Sequence, residues 1–269
     1  LPKMASIMDK LTPIRTVVGA VDDHSNHQCF TGRLRRTPPP PGGWPTFGSV
    51  VSRLKGAARP SVPPFIGLEP AMKHSPYNAA SPGFLGIGHR SFRPEGDCKA
   101  DMILNGVSLD RLRDRSQLLS SFDQFRRDVD NGGLMEGLDT FNQQAFGMLT
   151  SSDLVGALDW QKESPQIIER YGRGDTTVRG DAAPRILEQF LVARRLVEAG
   201  VRCVTVAFGF WDYHGSNFRL CREDLPMLDQ GVHALVTDLH ERGLDKDVSV
   251  IVWGEFGRSP TINKEGGRD

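Results

Sequence analysis

A chain of 269 residues with 38% hydrophobic and 25% charged side chains has the make-up of an ordinary folded protein, long enough to bury a substantial core. Its 33 basic and 33 acidic residues cancel, which removes the electrostatic case for a nucleic-acid or membrane-surface partner. The four cysteines form no CxxC pair, so neither a zinc knuckle nor a disulfide framework follows, and no apolar run reaches the ~18 residues that a membrane-spanning helix needs.

Residues 3–11 read as the end of a helix, followed by a β-branched run, "IRTVV" (14–18). A polar loop follows, "DDHSNHQCFTGR" (22–33), carrying His24 and His27. The segment "TPPPPGGWP" (37–45) is neither helix nor central strand, because successive prolines fix φ and lack donors. Helical spacing returns over 46–54, and 63–68 reads as a strand. From 71 to 105 the chain is loop-like, a length that usually marks a functional lid or a substrate-shaping insertion. Helices are predicted at 108–129, 134–149, 151–158 and 164–171.

The last third is the most regular. Residues 181–200 predict a helix with Asp181 as N-cap, Pro184 in the first turn and Gly200 as the stop. "VRCVTVAF" (201–208) is the continuous apolar run of a strand buried on both faces. A helix over 222–242 and a second such strand, "VSVIVW" (248–253), would complete a right-handed βαβ crossover. The expectation is one α/β domain over 1–269, with a mostly parallel sheet flanked by helices and an insertion at about 71–180. Both ends stop in mid-pattern, as if cut from a longer chain.

In open α/β sheets ligands bind beyond the carboxyl ends of the strands. Asp212 and His214 follow the first buried run, and Glu255 and Arg258 follow the second. If those strands are neighbours, Asp212, His214 and Glu255 form a shell suited to Zn²⁺, Mn²⁺ or a similar divalent ion. Arg258 would then clamp an anionic group with its planar donor fork. The competing reading of Asp-x-His is a capped loop. His24, His27 and Ser25 open at the same edge if 14–18 belongs to the sheet, and a hydroxyl beside a divalent ion can attack phosphorus or sulfur. His74, His89, His233 and His240 have no partner pattern and read as structural or surface residues.

"ARRLVEAGVRCVTVAFGFWDYHGSNF", "LPMLDQGVHALVTDLHERGL" and "VIVWGEFGRSPTINKEGGRD" together resemble a large bacterial family of unknown function, described as sulfatase-like and placed in the alkaline phosphatase superfamily. "MDKLTPIRTV", "HSNHQCFTGR", "WPTFGSVVSRL", "LNGVSLDRLRDR" and "ERYGRG" extend the resemblance along most of the chain. It implies an alkaline-phosphatase/sulfatase-like fold in which one or two divalent ions (Zn, Mn or Ca) flank a hydroxyl nucleophile. The implied substrate is a sulfate or phosphate ester of a small molecule or glycan, and the implied location is exported or periplasmic. Asp212 and His214 correspond to one metal pair and Glu255 to the acidic member of another, with Phe256 where a second histidine is expected. Ser25 stands as the nucleophile and Arg33 or Arg258 as the oxyanion partner, although no Cys/Ser-x-Pro-x-Arg signature is present. These departures keep a second expectation open: a catalytically degenerate member that binds a partner or plays a structural part. A phosphoglycerate-mutase-like phosphotransferase is a third.

Overall fold

The computed structural model describes residues 1–78, 81–94, 108, 110–115, 117, 145–149 and 151–268. Most of the helices expected at 108–129 and 134–149 lie outside the described residues, as does Cys98.

In chain order the named helices are α1 (Pro2–Ala5), α2 (His27–Thr31), α3 (Phe47–Lys55), α4 (Asp153–Leu158), α5 (Pro165–Tyr171), α6 (Glu188–Ala199) and α7 (Asn217–Glu241). The strands are β1 (Phe65–Leu68), after α3, and β2 (Cys203–Val206), after α6. They pair in parallel, Phe65 opposite Cys203 and Leu68 opposite Val206. The α/β class therefore stands, but among the described residues the sheet has two strands rather than many.

The two β-branched runs at 14–18 and 248–253 correct the expected sheet, since neither is a strand. Ile14, Val17 and Val18 are exposed, and so are Ile251, Val252 and Trp253. Apolar composition raises strand propensity only where a neighbouring strand supplies ladder hydrogen bonds and a packed face, and no such ladder reaches either run among the described residues. β2 is also shorter than 201–208 and only half-buried.

α6 starts at Glu188, seven residues after the predicted cap at Asp181. The preceding segment is drawn away from helical geometry by Arg185. Its main chain bridges to Asp175, with N···O distances of 2.8 and 3.0 Å, and its guanidinium pairs with Asp175 and the buried Asp224. The predicted stop is where it was expected: Gly200 takes φ 109°, a left-handed value that a side chain would strain, and its N–H closes on Leu196 and Val197.

α6 lies between two apolar clusters. On one side Val192, Ala193 and Leu196 pack with Ile66 and Leu68 of β1, Leu154 and Leu158 of α4, and Val201. On the other, Phe190 and Leu191 meet Tyr171 of α5 and Val232, Leu235 and Leu239 of α7. The second interface also encloses charge. Arg194, 1% exposed, pairs with Asp238 of α7 at 2.9 Å and Glu163 at 3.1 Å, and Tyr171 donates to Asp238 at 3.0 Å. Buried ions persist only when paired in this way. The result is a rigid support for β2 and for the loop that leaves it.

Candidate metal site

The chain leaving β2 is pinned at its middle. Tyr213 is buried and its hydroxyl donates to Asp224, which also receives Arg185 and Arg179. Asp212 and His214 flank this fixed tyrosine, and His214 lies between it and the start of α7 at Asn217. A second strap holds the far side. Ser216 N–H donates to Glu265 O at 2.9 Å, Asn217 N–H to Gly266 O at 2.8 Å, and Arg268 N–H to Tyr213 O at 3.1 Å. Asn263 Nδ2 donates to His214 O at 2.9 Å.

The loop before α2 approaches from the opposite side and carries His24. Its base is closed by Gln28, whose amide donates to Val21 O at 2.7 Å and Glu255 O at 2.8 Å and accepts from Val21 N–H at 3.1 Å. The His24 ring meets Phe256 edge-on, with centroids 5.2 Å apart. One side-chain amide thus joins the ends of two chain segments more than 200 residues apart in sequence.

These supports bring three side chains together. His24 Nε2 lies 3.1 Å and His214 Nε2 2.8 Å from Asp212 Oδ2, and the three ligand atoms fall within 4.8 Å of one another. Ligands on one ion at about 2.0–2.2 Å lie roughly 3–3.5 Å apart in a tetrahedral shell. The group is therefore compact enough to close on an ion with small side-chain movements. A carboxylate only accepts, so in this arrangement both imidazoles donate from Nε2. Coordination would exchange those N–H protons for lone pairs. His214 and His24 are solvent-accessible, and Asp212 is the more enclosed member.

Asp212 is held from its other oxygen by Arg258, Nη1 to Oδ1 at 2.8 Å. Partial burial pushes the Asp212 carboxyl up, but hydrogen bonds from Arg258, His214 and His24 outweigh it and hold the group below its usual value. Arg258 Nη2 is buried and has no hydrogen-bond partner among the described residues. A guanidinium N–H₂ out of water without an acceptor costs free energy. Tyr77 adds a neutral hydroxyl. Burial and the charges of Glu255, Asp181 and Asp212 push it up to about 12, against the opposing effect of Arg258.

The other expected site residues fall as follows. Glu255, expected as a ligand, is not one of the three; its main-chain oxygen holds Gln28, and its charge helps burial raise Cys29 to about 11. Ser25 is 2% exposed, and its Oγ accepts from His27 N–H at 3.1 Å in a local turn. The Arg33 guanidinium lies over the Trp44 ring, 4.6 Å from the centroid, rather than on Asp212. His27 opens α2 and is not a member of the group. His24, rather than Glu255, joins Asp212 and His214 in the group. Its loop was visible in the sequence, but its 188-residue separation from Asp212 left no spacing to read. His74 also has a specific place, with Nε2 2.8 Å from His24 O.

The molecule at this point is an α/β protein with a His–Asp–His group where its second strand ends. The chain matches the family described as "Protein of unknown function (DUF1501)" over residues 1–269 and belongs to it. No curated protein and no solved structure matches it. The expected sulfatase-like, alkaline phosphatase superfamily assignment is thereby corrected: the matching family is uncharacterised, and no sulfatase or alkaline phosphatase family matches. No helix among the described residues is long and apolar enough to cross a membrane.

Proposed function

We propose that this protein is a divalent-metal-dependent hydrolase of phosphate or sulfate esters, with His24, Asp212 and His214 as the metal ligands. The observation that carries the reading is the approach of His24, 188 residues away from Asp212 in sequence, to Asp212 and His214, with three potential ligand atoms within 4.8 Å of one another. A bound divalent ion acidifies water and polarises an ester oxygen. The side chains divide the remaining work. His24 and His214 would hold the ion through ring lone pairs and Asp212 through Oδ2, while Arg258 fixes Oδ1. The unpartnered Nη2 of Arg258 donates to an anionic oxygen of the ester, where a charge-assisted bond in an enclosed site is strongest in the transition state. Water attacks, since Ser25 is enclosed and its Oγ already accepts a main-chain N–H.

A non-catalytic binding protein on the same scaffold is the second reading, and the enclosure of Ser25 favours it. A panel of aryl phosphates and aryl sulfates assayed with added Zn²⁺, Mn²⁺ or Ca²⁺ separates the two. The hydrolase reading expects metal-dependent turnover that falls about 10²-fold or more in Asp212→Ala. Metal bound without turnover of any ester would favour the binding protein. Turnover indifferent to both metal and Asp212→Ala would remove the site from the reaction.

A further inference from the structure

We infer that His74 is a positioning residue that sets the main chain of His24 for metal binding, an inference that rests on the metal reading above. His74 Nε2 lies 2.8 Å from His24 O. A carbonyl only accepts, so Nε2 carries the proton and donates. The other ring nitrogen, Nδ1, lies 3.8 Å from Asp181 Oδ2, and the His74 main-chain N–H donates to Asp181 O at 3.2 Å. Two residues on, the anchor repeats: Asn26 Nδ2 donates to Tyr77 O at 2.6 Å. The His74 and Tyr77 rings contact each other edge-on at 4.6 Å, so the two anchor points form one unit.

The direction of these contacts separates positioning from general stability. None of residues 71–78 is buried, so the segment adds little to the core. Two of its hydrogen bonds go to the loop that carries His24. Holding a ligand residue by its carbonyl fixes the direction of its Cα–Cβ bond, and metal shells tolerate errors of only about 0.2 Å in ligand distance. His214 is held in the same manner from another segment, by Asn263 Nδ2 on its carbonyl. Each imidazole of the group therefore has a remote side-chain donor on its own main chain.

The test compares the full chain with His74→Leu, which removes the donor and keeps bulk, and His74→Gln, whose amide can reach the same carbonyl. Zn²⁺ affinity is measured by competition with a chromophoric chelator, and the melting temperature is measured on the metal-free proteins. The expected result is a Kd raised about tenfold in His74→Leu, the low end of what outer-shell partners of metal ligands contribute. His74→Gln should recover most of that loss, with the metal-free melting temperatures of all three closely matched. Equal Zn²⁺ affinity in the wild type and His74→Leu would overturn the inference, as would a weakening that merely tracks a lowered melting temperature. A wild-type chain that takes up no Zn²⁺ would instead sink the metal reading, and this inference with it.

Discussion

Asp212 divides its two oxygens between different tasks: Oδ1 receives the Arg258 guanidinium and Oδ2 faces two imidazoles. Because those donors hold its carboxyl below the usual value, it stays ionised at neutral pH. Imidazole ligands must give up their protons to bind an ion, so ion affinity should fall as pH drops. A chelator competition series from pH 8 to pH 5 checks this. Affinity that stayed flat across the series would mean that imidazoles do not hold the ion. Gly267 offers a steric test of the same arrangement. A Cβ built there would lie 1.9 Å from His214 O, so Gly267→Ala must displace one of the two chains. The expected outcome is weaker metal binding, about tenfold, with a smaller effect on melting, because residues 263–266 and 268 around the buried Gly267 are not buried.

Between elements, the decisive contact is the charged seam that joins α6 to α7. Asp238 receives Arg194, Arg242 Nε at 2.8 Å and Tyr171. Burial pushes its carboxyl up, yet Arg242, Arg194 and Tyr171 together hold it below the usual value near 3.8. Glu163 is lowered in the same way by Arg194 and Arg195 against its own burial. A carboxylate with a depressed folded pKa contributes stability that is complete above its unfolded value and is lost as pH falls through the folded one. Acid unfolding should therefore set in below about pH 4, and Asp238→Ala should cost about 3 kcal/mol at neutral pH, the low end for breaking a buried ion pair, because Arg194 keeps Glu163 and Glu198. Urea denaturation of both proteins at pH 7 and pH 3 tests the sign: the gap between them should narrow at low pH. These helices were legible in the sequence. Apolar spacing and Gly200 placed α6, and the same spacing placed α7, though α7 starts at Asn217 rather than 222. Asp181 misled as a cap because the pull of Arg185 toward Asp224 and Asp175 is a tertiary effect that local propensity does not contain.

At the scale of the whole molecule, the apolar runs at 14–18 and 248–253 show where composition stops being informative. The continuous apolar pattern of 248–253 and the β-branched content of 14–18 both suit a strand, yet both stay outside the sheet, since a strand is defined by its neighbours rather than by itself. The position of Asp212 and His214 just after β2 was legible from the end of a hydrophobic run. The recruitment of His24 was not, because it depends on Gln28, Phe256 and His74 joining loops far apart in sequence. That long-range closure is the central claim, and titrating the full chain with Co²⁺ tests it most directly, with binding read from stoichiometry and visible absorption. The account predicts one ion per chain, with affinity lost in His24→Ala, Asp212→Ala and His214→Ala and kept in Glu255→Gln. Undiminished Co²⁺ binding in His24→Ala, or no saturable binding in the wild type, would contradict it.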